Sequence, residues 1–290
     1  MKQPREDGVS VAAYAEFMNR IAVIIVTHNS QAVLKRCLAS LAKQTVKPES
    51  IVIVDSGSVD SDYLLEHQDA GPVTLLREQN IGFSRSNNLG YQAIDQSVDF
   101  VLFLNPDGFP EADSIELALD YLARNEKVGC LSGRLLGFDC NRKRATGAID
   151  STGVFRKWYG CWYDRGQGEP DDGRYAGRED VPAACGAFLF CRKKMLDQVA
   201  LAKGIVFDPD FFLYKEDIEL CLRIGKSHWR IVYLPDIIVY HCRGWQDRHQ
   251  IPYQLRLTAA GSEMLLYKKH PSPYVLWALA KYALVRWLRI

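Results

Sequence analysis

An α/β fold with a mostly parallel central sheet is predicted by three observations. Continuously apolar runs recur in the first half of the chain, IAVIIVT (21–27), IVIVD (51–55), VTLLRE (73–78) and FVLFLN (100–105). Helical spacing separates them: Val33, Leu34, Cys37, Leu38 and Leu41 follow the first run, and a second helix falls near Ser84 to Ile94. Uninterrupted apolar strands alternating with helices indicate strands buried on both faces, as in a nucleotide-binding sandwich of Rossmann-like type. The third observation is that the fourth run ends abruptly in Asn105, Pro106 and Asp107. A buried strand delivers a carboxylate there at its C-terminal tip, where open α/β sheets bind ligands. The same residues with Gly108 also read as ordinary turn formers.

Beyond Pro110 a helix is expected to about Asn125, and the alternation then loosens. Leu131 to Thr152 reads as strands and turns carrying the basic cluster Arg142, Lys143 and Arg144; Tyr159 to Asp180 is rich in Gly, Asp and Arg. Segments of this kind either close over a site or serve as solvated connections. Order returns with AACGAFLFCRKKM (183–195), a strand entering a helix, and with LYKEDIELCLRIGKSHW (213–229), an amphipathic helix opened by acidic residues. RIVYLPDIIVYHC (230–242) reads as two short strands around Pro235.

Composition limits the functions available. With 290 residues, 48% of them hydrophobic, the chain can bury one large domain plus a small appendage. Lysine and arginine number 36 against 35 acidic residues, so a net charge of +1 gives no global attraction to nucleic acid. The eight cysteines include no CxxC pair, which reads as a reducing cytoplasm with neither zinc nor disulfides. Met1 to Arg20 is polar and lacks the pattern of a signal peptide, and no stretch of 18 uncharged apolar residues predicts a spanning helix. The GxGxxG turn and the GxxxxGK[ST] loop are both missing, which disfavours dinucleotide and P-loop chemistry.

Five places carry polar groups suited to chemistry. Asp55 ends the second strand before a Ser-Gly-Ser turn; its carboxylate can accept the imide N–H of a pyrimidine, or the turn is a capping box built on Ser58. NIGFSRSNNLG (80–90) puts Arg85 and three asparagines at one strand-to-helix junction, suited to a diphosphate or to capping. Asp107, with Asn105 beside it, offers hard oxygen donors for Mg²⁺ or Mn²⁺ on phosphates. Glu216, Asp217 and Glu219 open a helix whose dipole favours their ionised forms, so one can act as general base, or all three are first-turn decoration. His241 closes an apolar strand, where an imidazole completes a metal shell or makes a structural hydrogen bond.

Read in order, VIIVTHNS (23–30), VDSGSVD (54–60), NIGFSRSNNLG (80–90), FLNPDG (103–108), GAFLF (186–190), FDPDFFLYKEDIELCLR (207–223) and YHCRG (240–244) resemble the family 2 glycosyltransferases of GT-A fold, closest to bacterial rhamnosyltransferase-like members. The resemblance implies an inverting, metal-assisted transfer of a sugar from a dTDP- or UDP-linked donor to an acceptor hydroxyl in bacterial surface polysaccharide synthesis, with a lipid-linked acceptor. By similarity Thr27, Asp55 and Arg85 contact the nucleotide, Asp107 and His241 hold the metal, and Asp217 is the base. Gly186, Glu216 and Glu219 then fall at sugar or acceptor contacts. Asn105 departs from the family's DxD motif by replacing its first Asp, and the chain lacks the QxxRW signature of processive synthases. The rival readings are a sugar-1-phosphate nucleotidyltransferase, disfavoured because no Gly-rich basic loop follows the first strand, and a noncatalytic sugar-nucleotide-binding protein.

Three regions are therefore expected: a polar extension over 1–20, the catalytic unit over 21–245 and a helical appendage over 246–290. In the last, YVLWALAKYALVRWLRI (274–290) gathers Lys281, Arg286 and Arg289 on one helical arc while Leu276, Leu279, Ala283, Leu284, Trp287, Leu288 and Ile290 cover the rest. A basic amphipathic helix containing Trp suits either a membrane interface or a protein neighbour. Lys268, Lys269 and His270 are expected to add attraction to anionic lipid.

Overall fold

Strand β1 (Ile21–Thr27) is buried along its whole length, as its unbroken apolar run requires. The computed structural model describes residues 20–67, 71–242 and 251–289; nearly all of the 1–20 extension, the 245/246 boundary, Arg243 and Gly244 of the last motif, and Ile290 lie outside them. β1 lies parallel to β2 (Ser50–Ser56) and to β4 (Phe100–Leu104), and β2 is parallel to β3 (Val73–Glu78). The connecting helices are α1 (Leu34–Ala42) and α2 (Phe83–Ala93), and a 3₁₀ turn spans Asp62–His67.

The order β4-β1-β2-β3 reverses direction beside β1. Such a switch point opens a crevice at the carboxyl ends of the strands, and Thr27 and Asp55, paired in register, both lie there.

Beyond β4 the sheet becomes mixed. β5 (Gly108–Pro110) and α3 (Ser114–Arg124) follow, then β6 (Val128–Asp139) and β7 (Arg144–Ser151). β8 (Val154–Arg156) and β9 (Trp162–Asp164) form a separate hairpin. β10 (Glu179–Asp180), β11 (Phe188–Arg192), α4 (Lys193–Val199), α5 (Glu216–Gly225) and β12 (Arg230–His241) complete the body, with β11 antiparallel between β4 and β6 and β12 parallel to β6. α6 (Tyr253–Lys269) and α7 (Val275–Ala283), the latter continued by a π turn over Leu284–Leu288, pack on each other.

Three expectations are corrected. The segment around Pro235 is one strand, because a register shift between Leu234 and Ile238 absorbs the residue that cannot donate to the ladder. Cys140 and Cys242 form a disulfide, their Cα atoms 5.8 Å apart across 102 residues, which no local cysteine spacing reveals. Lys269 and His270 turn toward the body of the protein: Lys269 reaches Asp208 and Asp210 at 2.6 Å each, and His270 Nε2 lies 3.2 Å from Glu219. Among the described residues no helix is long and apolar enough to cross a membrane.

Candidate active site

At the carboxyl end of the sheet, a cavity of about 360 Å³ is lined by Asn105 and Asp107 after β4, His241 at the end of β12, Gly186 before β11, and Lys215, Glu216 and Asp217 at the start of α5. Residues far apart in sequence meet here because β4 and β12 end, and antiparallel β11 begins, at the same rim. The β8–β9 hairpin closes one side with Val154, Trp162, Tyr163 and Asp164.

His241 is buried between two carboxylates. Its Nε2 faces Asp107 Oδ1 at 3.3 Å, and its Nδ1 lies 2.8 Å from Asp150 Oδ2 on β7. Burial pulls the imidazole pKa down, but Asp107 and Asp150 outweigh it and raise it to about 9. Asp150 is fully buried and escaped the sequence reading; the signal available was a carboxylate inside the strand pattern Ala148-Ile149-Asp150. Asn105 Oδ1 also belongs to the cavity wall, buried with no hydrogen-bond partner among the described residues.

A carboxylate, an imidazole braced by a second carboxylate, and an orphaned carbonyl oxygen form a donor set that suits a divalent cation with some of its ligands still to be filled. Among the described residues no group of three or more His, Cys, Asp and Glu can enclose an ion unaided.

Asp217 stands across the cavity. The Gly186 backbone N–H donates to its Oδ2 at 2.9 Å, and the Ile218 N–H donates to its Oδ1 at 2.8 Å. Burial raises its pKa, partly countered by these two donors. Glu216 is buried beside it, Oε2 has no partner, and burial together with the Asp217 charge pushes its pKa up to about 8. Of the coupled pair, the residue with two N–H donors carries the negative charge at neutral pH, and Glu216 keeps its proton. The chain enters α5 through Tyr214 and Lys215, both at φ 71°. Side chains with a Cβ hold that conformation only where the surroundings impose it.

Two of the residues expected to contact a nucleotide lie at the switch point. Thr27 and Asp55 are buried, Thr27 Oγ1 is 2.5 Å from the Tyr63 hydroxyl, and Ser58 Oγ donates to Asp55 Oδ1 at 2.6 Å. Tyr63, on the 3₁₀ turn, carried no sequence signal.

Four expected contacts are not brought to the cavity: Thr27 and Asp55, at the switch point, and Glu219 and Arg85. Glu219 is buried on the other side of α5, where Arg223 and His270 take its carboxylate oxygens. Arg85 lies outside the cavity lining and its Nε donates to the Pro209 carbonyl at 3.2 Å. The Asn-rich motif that carries it acts as a clasp. Asn88 accepts from the Val206 and Phe207 N–H groups and donates to the Phe207 carbonyl, and the Phe83 N–H donates to the Phe212 carbonyl. Gly82, at φ 84°, leaves the space that Phe212 fills. The motif thus fixes the loop that leads into Glu216 and Asp217.

Solved structures share this architecture. GalNAc-T7 crystallised with UDP, GalNAc and Mn²⁺ superposes with a TM-score of 0.63 at 16% identity, covering 91% of this chain and 54% of that longer protein. A Pyrobaculum calidifontis mannosyltransferase in complex with GDP-Man and Mn²⁺ gives 0.56 at 17% identity over 91% of this chain and 69% of the other. The fold is therefore GT-A. In sequence, the N-acetylglucosaminyl-diphospho-decaprenol L-rhamnosyltransferase of Mycobacterium tuberculosis is 28% identical over 242 residues, 76% of this chain and 75% of that one. The profile of glycosyl transferase family 2 matches residues 22–199, more than half of the chain and all of the sheet from β1 to β11, so the chain belongs to that family and is a glycosyltransferase.

Proposed function

We propose that this glycosyltransferase inverts configuration as it moves a sugar, L-rhamnose from dTDP-rhamnose or otherwise a hexose from a UDP-sugar, to a hydroxyl of a lipid-linked acceptor during bacterial surface polysaccharide synthesis on the cytoplasmic side. One observation carries the reading: Asp217, its carboxylate held by the Gly186 N–H at 2.9 Å, faces the same cavity as Asp107 and His241. The mycobacterial relative, named for a rhamnosyl transfer to a diphospho-decaprenol acceptor, supports the donor and acceptor classes.

In this mechanism the acceptor hydroxyl attacks the anomeric carbon as Asp217 takes its proton, and the bond to the nucleoside diphosphate breaks on the opposite side of the sugar. Protonated Glu216 donates a hydrogen bond to a sugar or acceptor oxygen. Asp107 and His241, with Asn105 adjoining, would hold Mn²⁺ or Mg²⁺, whose charge stabilises the departing diphosphate. His241 must give up a proton to ligate, so metal binding would compete with the proton affinity that Asp107 and Asp150 impose on its ring. Thr27 and Asp55 receive the base and ribose end.

The test is transfer from dTDP-rhamnose and from UDP-sugars to a polyprenyl-diphospho-GlcNAc acceptor, with the anomeric configuration of the product read by NMR. Asp217→Asn should lower transfer by about 10³-fold, within the range for a lost general base, while the donor still raises the melting temperature. Near-normal transfer by that variant sinks the assignment of the base.

A further inference from the structure

The geometry points to a docking surface for an anionic lipid bilayer, built jointly by the tip of the β8–β9 hairpin and the C-terminal helices and set beside the mouth of the catalytic cavity. It rests on the proposed function only for the acceptor that such a surface would present.

The C-terminal helix is turned inside out. At about 100° per residue, Leu276, Leu279, Leu284 and Trp287 share one face. All four are exposed, Trp287 by 81%, while Ala278 and Val285 on the opposite side are buried. A helix shaped for water presents its polar side outward; this one presents leucine and tryptophan.

The hairpin extends that face. Trp158, at its tip, is 86% exposed. The Tyr159 ring packs edge-on against Trp277 with centroids 4.8 Å apart. The Tyr267 hydroxyl donates to the Gly160 carbonyl, and Tyr274 occupies the space a side chain at Gly160, φ 103°, would need. Trp158 and the α7 face are therefore held on one surface. The other end of the same hairpin lines the cavity through Trp162 and Tyr163, and Trp162 pairs with Arg156 in the ladder. At about 3.3 Å per residue the tip stands only on the order of 10 Å from the cavity wall.

Charge selects the occupant. Across 154–163 and 253–289 there are eight Lys and Arg against one acid, Glu263; Lys281 is taken by buried Glu263 and Lys269 by Asp208 and Asp210, which leaves six bases. Two copies of this chain meeting through a two-fold axis would bring the same bases face to face. An anionic headgroup layer accepts the bases, and its acyl boundary accepts Trp and Leu.

Flotation of the full chain with vesicles tests the surface. The chain should bind phosphatidylcholine vesicles containing phosphatidylglycerol, bind pure phosphatidylcholine far less, and dissociate as salt rises. Trp158→Ser and Trp287→Ser should each lower partitioning by about tenfold, since each removes one buried apolar anchor. Both positions are exposed, so melting temperature and its rise with the nucleotide donor should be unchanged. A chain that stays in solution with the anionic vesicles overturns the proposal. So does a concentration-dependent dimer that either substitution dissociates. Failed sugar transfer with intact vesicle binding would break the catalytic reading and leave the surface standing.

Discussion

The end of the site proposed for the nucleotide and the end proposed for the acceptor satisfy their polar groups differently. At the nucleotide end, Thr27, Asp55, Ser58 and Tyr63 bond one another at 2.5 to 3.3 Å. At the acceptor end and the metal position adjoining it, Glu216 Oε2 and Asn105 Oδ1 are buried without partners among the described residues, and two residues with side chains hold φ 71° before α5. An orphaned buried polar atom costs about 1–3 kcal/mol, and a left-handed residue with a Cβ a similar amount. The nucleotide end is thus largely preassembled, with Ser56 Oγ orphaned and Asn29 at φ 53° as its exceptions, whereas at the acceptor end the orphaned groups line the cavity itself. Chemistry belongs where the protein tolerates that cost.

The sharpest consequence is a pH dependence of stability that Glu216 contributes at the acceptor end. Glu216 has its pKa raised from 4.5 to about 8. Below pH 4.5 it is protonated in both folded and unfolded chains; between there and pH 8 only the unfolded chain releases the proton. Its contribution therefore turns against folding as pH rises through that window and is constant above it. Glu216→Gln removes the ionisation and the repulsion it exerts on Asp217. Urea unfolding at pH 5 and pH 8 should show the variant gaining on the wild type at pH 8 by an amount on the order of a few kcal/mol. Equal pH slopes for the two proteins would mean that Glu216 is not the stored charge.

Asp150→Asn comes next in size, acting at the metal-side boundary between the two ends. The amide oxygen can still accept from His241 Nδ1–H, so the ring keeps its place while losing the carboxylate that makes it a strong ligand. Half-maximal activity should need about 10–100 times more Mn²⁺, with kcat at saturating metal nearly unchanged. An unaltered metal requirement would remove His241 from the ion's shell.

Asp55→Asn probes the preassembled end. Losing a charged acceptor weakens donor binding by about tenfold, read by calorimetry, and leaves the acceptor KM unaffected. A fall in kcat with unchanged donor affinity would reverse the roles given to the two ends.

The parallel half of the fold was legible because strands buried on both faces are apolar along most of their length, as 21–27, 51–55 and 100–105 are, while the edge strand 73–78 is half-exposed and carries Thr74, Arg77 and Glu78. Asp107, Asp217 and His241 were legible because each ends or opens a strongly patterned element. What escaped depends on distance along the chain. Asp150 meets His241 across 91 residues, and Cys140 meets Cys242 across 102. Nothing local to either partner encodes the encounter. Glu219 shows the converse error: three residues in one acidic run looked equivalent, yet helical rotation sends Glu216 and Asp217 to the cavity and Glu219 to Arg223. The β8–β9 hairpin was hidden for another reason, since a short hairpin outside the main sheet needs little periodicity.

Arg85 gives the smallest effect and divides motif from structure most cleanly. Its position in NIGFSRSNNLG suggested a diphosphate contact, yet its guanidinium is exposed, donates to the Pro209 carbonyl at 3.2 Å and lies outside the cavity lining. The clasp on the loop before α5 is carried by buried Asn88, whose amide makes three bonds to Val206 and Phe207. Arg85→Ala should therefore leave donor affinity within about twofold and stability within about 0.5 kcal/mol, as for an ordinary surface position. Donor titration by calorimetry and urea unfolding read the two quantities. A tenfold loss of donor affinity with unchanged stability would mean that the guanidinium swings from Pro209 to the diphosphate when the nucleotide binds, and the nucleotide end would then be completed by its ligand, as the acceptor end is.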